Sequence, residues 1–506
     1  MKTRPPLHPL ESTLVGVTVL HLCFLPWALG TMHPWSQLTS LGFAIIGFSL
    51  ALIPRRNPFE RNTAPRNEAW FVLLRWPGFW GGLALLVYLV IQGCNPSWKY
   101  VSDSVSWWLE PLPHVDWLPS GIQAPFVRSN PWRALVTCAS LWLAVSSVWI
   151  GFSRRQSYRL LFTLLVSNSA LIALLSLLQK LTGTEQIFWI YAPSNSAFTA
   201  SFIYPNHAGA YLNLMVALAA GLAFWSHRRE RFKLEEPGQA WVFIIIALSA
   251  AMTVVFSYSR ASIALLFAFA ALLTASLGIR WVWRRLSGGS RRARLAPFAL
   301  AFVGVLAVSL TVINSPRAWS RFNDLLENPQ VALKARLQVR EAAWTMLGDR
   351  WLLGWGAGSF RHGFPLYAQN YPDIYQVGVR GGIHWEHAHD DLIEIPLELG
   401  LAGVLPVVFV LIQGLARIVR RRLWDNPVSL SMLVACGLLT LHANVDFVLQ
   451  SPAVLMTAAV FFFASQRWAE LDNPASPDPQ GHETDTTKAL DSGSTRWADE
   501  SSSSHV

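Results

Sequence analysis

The densest chemistry in the chain lies in His384-Trp385-Glu386-His387-Ala388-His389-Asp390-Asp391, three imidazoles and three carboxylates directly ahead of an apolar run that begins at Leu392. An imidazole whose tautomer is fixed by a neighbouring carboxylate is a general base, worth roughly 100-fold to 10,000-fold in rate. Two other readings fit the same residues. One is a solvated polar cap on a helix. The other is a metal site, since His-x-His followed by Asp resembles part of a binuclear zinc hydrolase motif. That motif ends in a further His where this chain has Leu392, and it belongs on a soluble sheet.

Arg260 is the second informative residue. Tyr258-Ser259-Arg260 interrupts two apolar runs so briefly that they must form a hairpin with Arg260 at its tip, at lipid headgroup depth. A guanidinium is always charged and offers a planar fork to phosphate oxygens, which suits a lipid diphosphate; an arginine snorkelling to headgroups is the plainer alternative. His442, Asn444, Asp446 and Gln450 cluster near the end of a late apolar run, and Asn206 and His207 follow Pro205 at the start of an earlier one. Ionisable groups in such places cost roughly 2.5 to 3.5 kcal/mol, so they mark function or a buried hydrogen-bond network. Gly354-Trp355-Gly356-Ala357-Gly358 has no strand before it and no βαβ unit around it, and reads as a tight turn rather than a phosphate cradle.

The elements that must position these residues are membrane helices. Of 506 residues 52% are apolar and 14% charged, and the apolar residues come in runs near the roughly 20 residues a helix needs to cross about 30 Å of hydrocarbon. A barrel would alternate polar and apolar residues, and this chain does not. Twelve spans are expected, near Leu14–Gly30, Leu38–Ile53, Ala69–Gly93, Ala134–Phe152, Leu160–Leu178, Ala208–Trp225, Ala240–Tyr258, Ala261–Ile279, Ala296–Ile313, Leu392–Ala416, Leu430–Val448 and Pro452–Gln466. The first follows Lys2 and Arg4, lacks a small-residue cleavage site and reads as a signal anchor.

A net charge of +10 invites a nucleic-acid reading, but the positions of the basic residues argue for topology instead. Alternate loops collect Arg55, Arg56, Arg154, Arg155, Arg228, Arg229, Arg284, Arg285, Arg420, Arg421 and Arg422 on one side. The short loops opposite hold only Lys99, Arg128, Arg133, Lys180 and Arg260, as expected of a protein with both termini cytoplasmic. Cys23, Cys94, Cys138 and Cys436 are scattered without pairing or zinc spacing. Most of the 25 tryptophans fall near span ends, where interfacial anchoring accounts for them; Trp107 and Trp108 remain candidates for stacking on sugars. Two outside segments are long, 95–133 and 314–391; the second contains an amphipathic stretch, Ala332–Leu347, carrying Lys334, Arg336, Arg340 and Glu341. The tail 472–506 is rich in Ser, Asp, Thr and Pro and is expected to be disordered.

Several of these segments together resemble the O-antigen ligase and polymerase family, bacterial membrane glycosyltransferases acting on undecaprenyl-diphosphate-linked glycans. Pro205-Asn206-His207-Ala208-Gly209-Ala210-Tyr211-Leu212 is similar to the family's Asn-His-x-Ala-Gly-Tyr-Leu stretch, and Ser259-Arg260-Ala261 to its Ser-Arg hairpin. Arg336, Arg340 and Asp349 through Phe360 resemble its arginine-bearing helix and Gly-rich turn. His387-Ala388-His389-Asp390-Asp391-Leu392 resembles its His-Ala-His-Asn-Asp-Tyr segment, with Asp390 where Asn is usual and Leu392 where an aromatic is usual. His442, Val445-Asp446-Phe447, Gln450 and Pro452-Ala453 resemble its late-helix pattern.

The resemblance covers roughly 160–466, after an N-terminal helical region 1–159. It implies an all-α, polytopic, GT-C-like fold with a large helical periplasmic loop at 314–391, in a bacterial inner membrane. It implies His389 as the catalytic base and Arg260 as an essential arginine, with Arg336, Arg340, His387, Asn206, His207 and Asp446 as candidates for holding diphosphate or glycan. No matching second arginine lies between Lys180 and Pro205. The chemistry implied is inverting transfer on the periplasmic face from an undecaprenyl-diphosphate glycan to a hydroxyl of lipid A core, a growing glycan or another acceptor, with no cofactor and no metal called for. Membrane lipids are expected partners and nucleic acid is not. Ligation, polymerisation and protein O-glycosylation share this donor chemistry. A flippase of lipid-linked sugars and a zinc-dependent hydrolase are the rivals of another class; a transporter would spread buried charges through the bilayer depth and show internal repeats.

Overall fold

The computed structural model describes residues 7–55, 68–104, 106–193, 197–231, 238–286, 329–371, 374 and 385–472. The expected span Ala296–Ile313, much of the segment 314–391 and the tail beyond Asp472 lie outside the described residues.

Long helices dominate: α1 (Pro9–Trp27), α2 (Pro34–Leu52), α3 (Glu68–Arg75), α4 (Pro77–Cys94), α5 (Pro131–Gly151), α6 (Arg155–Thr182), α7 (Pro205–Arg231), α8 (Gln239–Phe256) and α9 (Arg260–Leu286), then α10 (Pro329–Asp349), α11 (Asp391–Arg420), α12 (Pro427–Ala443) and α13 (Pro452–Asp472). Many open on proline, whose missing N–H costs nothing where no intrahelical partner exists. Asn130 and Asn426 cap α5 and α12 by accepting from the N–H groups of Arg133 and of Val428 and Ser429. Against twelve expected spans, eight described helices have the length and apolarity of a crossing: α1, α2, α4, α5, α6, α7, α8 and α11. Arg260–Ser276 and α12 are shorter apolar helices.

The structure corrects two expected spans. Ala69–Gly93 is not one helix, because Pro77 supplies no N–H and restricts Trp76; α3 ends at Arg75 and α4 starts afresh, with Trp76 stacked on Trp149 at 4.9 Å. The span expected from Leu392 is broken at Gly400, whose φ of 64° and ψ of 175° are not helical.

α7 is the central helix, with 83% of its apolar window buried, and it packs against α6, α8, α9, α12 and α13. Small residues permit this: Gly209 faces Ser262 of α9, and Gly221 faces Val428 and Ser431 of α12. The outer faces of surrounding helices expose Ile45, Ile46, Val87, Leu171, Ile245, Phe409 and Ile412, apolar surface suited to lipid. At the end where α1 starts, the buried Glu11 accepts from Ser153 and Arg154 N–H groups and from the Ser153 and Ser157 hydroxyls, and pairs with Arg55 at 3.1 Å. The opposite end, where α7, α9 and α11 begin, is called the site end below.

The segment 95–133 contains a three-stranded sheet, β1 (Pro96–Ser102), β2 (Trp107–Pro111) and β3 (Gly121–Gln123), ordered β2-β1-β3. β1 pairs antiparallel with β2, setting Tyr100 opposite Leu109 and Ser102 opposite Trp107. Aromatic and β-branched side chains favour this pleated surface.

The Gly-rich turn is a clasp between this sheet and α11. The break at Gly400 leaves backbone groups without helical partners, and the turn supplies them: Trp355 and Gly356 N–H donate to Leu397 and Glu398 carbonyls, while Leu401 and Ala402 N–H donate to Trp351 and Leu352 carbonyls. Backbones approach so closely that a Cβ on Gly354 would sit 2.4 Å from Gly400 N, and one on Gly356 2.4 Å from Gly121 Cα. Both glycines also have positive φ, 73° and 101°.

Candidate active site

His389 stands at the last bend before α11, with φ of 53°, a left-handed conformation that is costly for a residue with a Cβ. The next residue, Asp390, is the N-cap of α11 and accepts from Leu392 N–H at 3.1 Å. The turn carries the His389 ring away from its sequence neighbours to Asp446, in the link between α12 and α13, where Nδ1 meets Oδ1 at 3.2 Å. This contact places the ring proton on Nδ1. Nε2 has no hydrogen bond to any described residue, and the side chain is 27% exposed against 4% for Asp446.

Asp446 is held in turn. Its Oδ2 accepts from the Asn206 amide, and Oδ1 also accepts from Phe447 N–H at 2.9 Å. Burial works to raise its pKa, but the hydrogen bond and charge of His389, with the Phe447 N–H, outweigh it and keep the carboxyl below its usual range. His207, one residue after Asn206, is buried and donates from Nε2 to the Phe447 carbonyl at 3.1 Å. The first turn of α7 therefore braces the link from α12 to α13 on both sides of Asp446.

His387 faces elsewhere. Its Nδ1 lies 2.7 Å from Glu394 Oε1, and Glu394 also accepts from Ala388 N–H at 2.7 Å and Gln450 Nε2 at 3.3 Å. Burial pulls the imidazole's pKa down, but Glu394, with Glu398 and Glu386, carries it above the ordinary value of 6.5. Phe447 joins the two histidines: the His387 ring stacks on it at 4.5 Å and the His389 ring meets it edge-on at 4.9 Å. Asp391 accepts from Leu449 N–H at 2.7 Å, a third tie between the two segments. Among the described residues no group of three or more His, Cys, Asp or Glu side chains is arranged to hold a metal ion.

Arg340 of α10 pairs with Asp390 at 3.3 Å, and Arg336 lies exposed one turn earlier. Burial raises the Asp390 pKa against the opposing charge of Arg340. Arg260 opens α9 at the site end; the adjoining Ser259 and Ser262 hydroxyls share a 2.7 Å hydrogen bond, and Ser262 packs on Gly209 in the first turn of α7. Thus the turn that carries Asn206 and His207 also supports the Arg260 hairpin.

Residues 242–408 match the family model for O-antigen ligase. Over this stretch, about a third of its length, the chain is similar to the O-antigen ligase family. The ligase domain so matched contains Arg260, Arg336, Arg340, His387 and His389, while Asn206 and Asp446 lie outside the matched stretch. No curated protein matches the chain. Three residues of the candidate site were not singled out from sequence as site residues: Glu394, Phe447 and Arg361. Arg361 pairs with Glu386 at 2.5 Å, three residues before His389. Glu394 carried a local signal, a carboxylate seven residues after His387 inside an apolar run, and Phe447 stood within the late-helix pattern.

Proposed function

We propose that the protein is a bacterial inner-membrane glycosyltransferase that transfers a glycan from an undecaprenyl-diphosphate carrier to an acceptor hydroxyl. The reaction is inverting and metal-independent, it takes place on the periplasmic face, and both termini are cytoplasmic. The catalytic core is 160–466, GT-C-like, with twelve spans in the whole chain. The observation that carries this reading is the His389–Asp446 pair at the site end, its Nε2 open and its carboxylate braced by Asn206.

In this reading Nε2 of His389 takes the acceptor's proton as the hydroxyl attacks the anomeric carbon, and Asp446 stabilises the imidazolium that forms. Arg260 neutralises the departing diphosphate. A guanidinium–phosphate contact at about 4 Å and an effective dielectric near 20 is worth about 4 kcal/mol; realised only in the transition state, that approaches a thousandfold in rate. With the Arg340 guanidinium engaged by Asp390, Arg336 is the better candidate for a second phosphate contact. Asn206 and His207 act by holding Asp446 and Phe447.

The test is transfer in proteoliposomes from a radiolabelled undecaprenyl-diphosphate glycan, comparing wild type, Arg260→Ala and His389→Ala, with and without EDTA. Product from wild type in EDTA, absent in both folded variants, is the expected result. Equal turnover in the variants would overturn the site assignment. Chelator-sensitive activity would overturn metal independence, and lipid movement without a new glycosidic bond would make the protein a transporter.

A further inference from the structure

The sheet β1–β3 lies outside the matched ligase domain, yet it is fastened to it. Besides the Gly356–Gly121 approach, Arg350 donates to the Ser120 hydroxyl at 3.0 Å, and Gln92 accepts from Ala357 N–H at 3.0 Å. One face of the sheet carries Tyr100 and Trp107, their rings stacked at 5.8 Å and 25°. The His362 ring lies 5.1 Å from Tyr100 and 5.9 Å from Trp107, and the exposed Arg128 guanidinium sits 5.3 Å over Tyr100. His362 is buried, whereas Tyr100 and Trp107 are half-exposed, so the cluster has a closed floor and open aromatic edges.

The cluster is continuous with the catalytic residues. Arg361, next to His362, pairs with Glu386, and Trp385 meets the His389 ring edge-on at 5.8 Å. Two chains of contacts lead away from His389. One runs through Asp446 and the first turn of α7 to the Arg260 hairpin, the other through Glu386 and Arg361 to the sheet. Half-exposed tyrosine and tryptophan side chains, apolar with a polar tip, suit the mixed apolar and hydroxyl surface of a pyranose, and Arg128 offers hydrogen bonds and charge beside them.

We propose that Tyr100, Trp107 and Arg128 form a saccharide subsite that binds the acceptor glycan. This rests on the transferase reading for its place in the reaction, in which the acceptor hydroxyl must reach the base, His389, whose Trp385 and Glu386 neighbours lead to the cluster. Binding itself does not depend on turnover.

The probe is the water-soluble glycan fraction, freed of lipid by mild acid, from the envelope of the bacterium that carries the gene. Its binding to the full chain in nanodiscs is read by saturation-transfer difference NMR. Wild type and His389→Ala should bind alike; Trp107→Ala and Arg128→Ala should bind at least about tenfold more weakly, and Trp107→Phe should recover most of the affinity. In the transfer assay Trp107→Ala should raise the acceptor KM with kcat and donor KM unchanged. Equal binding by wild type and Trp107→Ala would overturn the subsite, as would failure of wild type to bind. Binding intact in a protein that transfers nothing would instead count against the transferase reading and leave the subsite standing.

Discussion

His389 Nδ1 and Asp446 Oδ1 meet at 3.2 Å across 57 residues of sequence, although two carboxylates, Asp390 and Asp391, follow the histidine directly. Both neighbours are occupied elsewhere. Asp390 caps α11 and pairs with Arg340, and Asp391 accepts from Leu449 N–H. His389 is therefore oriented by a carboxylate that arrives from a different pair of helices, and its placement depends on how those helices dock.

Replacing that carboxylate by its amide should separate orientation from folding. Asp446→Asn keeps the side-chain volume but loses the charge that stabilises an imidazolium, and kcat should fall by roughly 100-fold or more. The acceptor and donor KM values should move little, and the melting temperature in detergent should stay near wild type. A variant with full kcat would show that Asp446 does not assist His389.

The Arg340–Asp390 pair should couple in a double-mutant cycle. Arg340→Gln leaves a buried carboxylate supported only by its capping bonds; since the guanidinium is nearly half exposed, solvent screening limits the cost to about 1 kcal/mol. Asp390→Asn in the same chain should recover most of that loss, because the amide needs no counter-charge. Additive losses, measured by chemical denaturation in micelles, would mean the pair contributes nothing.

Gly354→Ala should destabilise strongly, by about 2–4 kcal/mol, because the new methyl meets Glu398 O and Gly400 N at 2.4 Å and the backbone is left-handed. Gly348→Ala is the control: no atom lies within 4 Å of its Cβ position and it sits within α10. There the substitution should be neutral or slightly stabilising. Comparable melting temperatures for the two variants would refute the clasp.

Stability should fall as pH rises through the raised pKa of His387. A histidine whose folded value lies above its unfolded one contributes stability that is complete below the unfolded value, near 6.5, and is lost as pH climbs through the folded value. Glu394→Gln removes the carboxylate that outweighs burial, so this part of the pH dependence should flatten. An unchanged slope of melting temperature against pH above 6.5 would place the effect on another group.

Much of the architecture was legible in the sequence. Apolar runs of crossing length specify helices because a bilayer leaves the backbone no other partner, and the prolines and asparagines at their starts mark where those helices begin. Arg260 at a hairpin tip and His389 before an apolar run were visible because short polar interruptions of apolar sequence are local. The break at Pro77 was also written locally, in the residue that cannot donate. The break at Gly400 was not, since a lone glycine bends a helix only when something else takes up the freed backbone groups, and here that is a turn some fifty residues earlier.

What only the tertiary structure decided are the pairings. Which carboxylate serves which histidine, the ring of Phe447 between them, the sheet in 95–133 and its attachment to the Gly-rich turn all join positions far apart in the chain. Such contacts depend on helix docking, to which no local spacing corresponds. Asp390 adjoins His389 in sequence, but the N-cap geometry of α11 turns it away, and the packing of α7 against the link from α12 to α13 brings Asp446 instead.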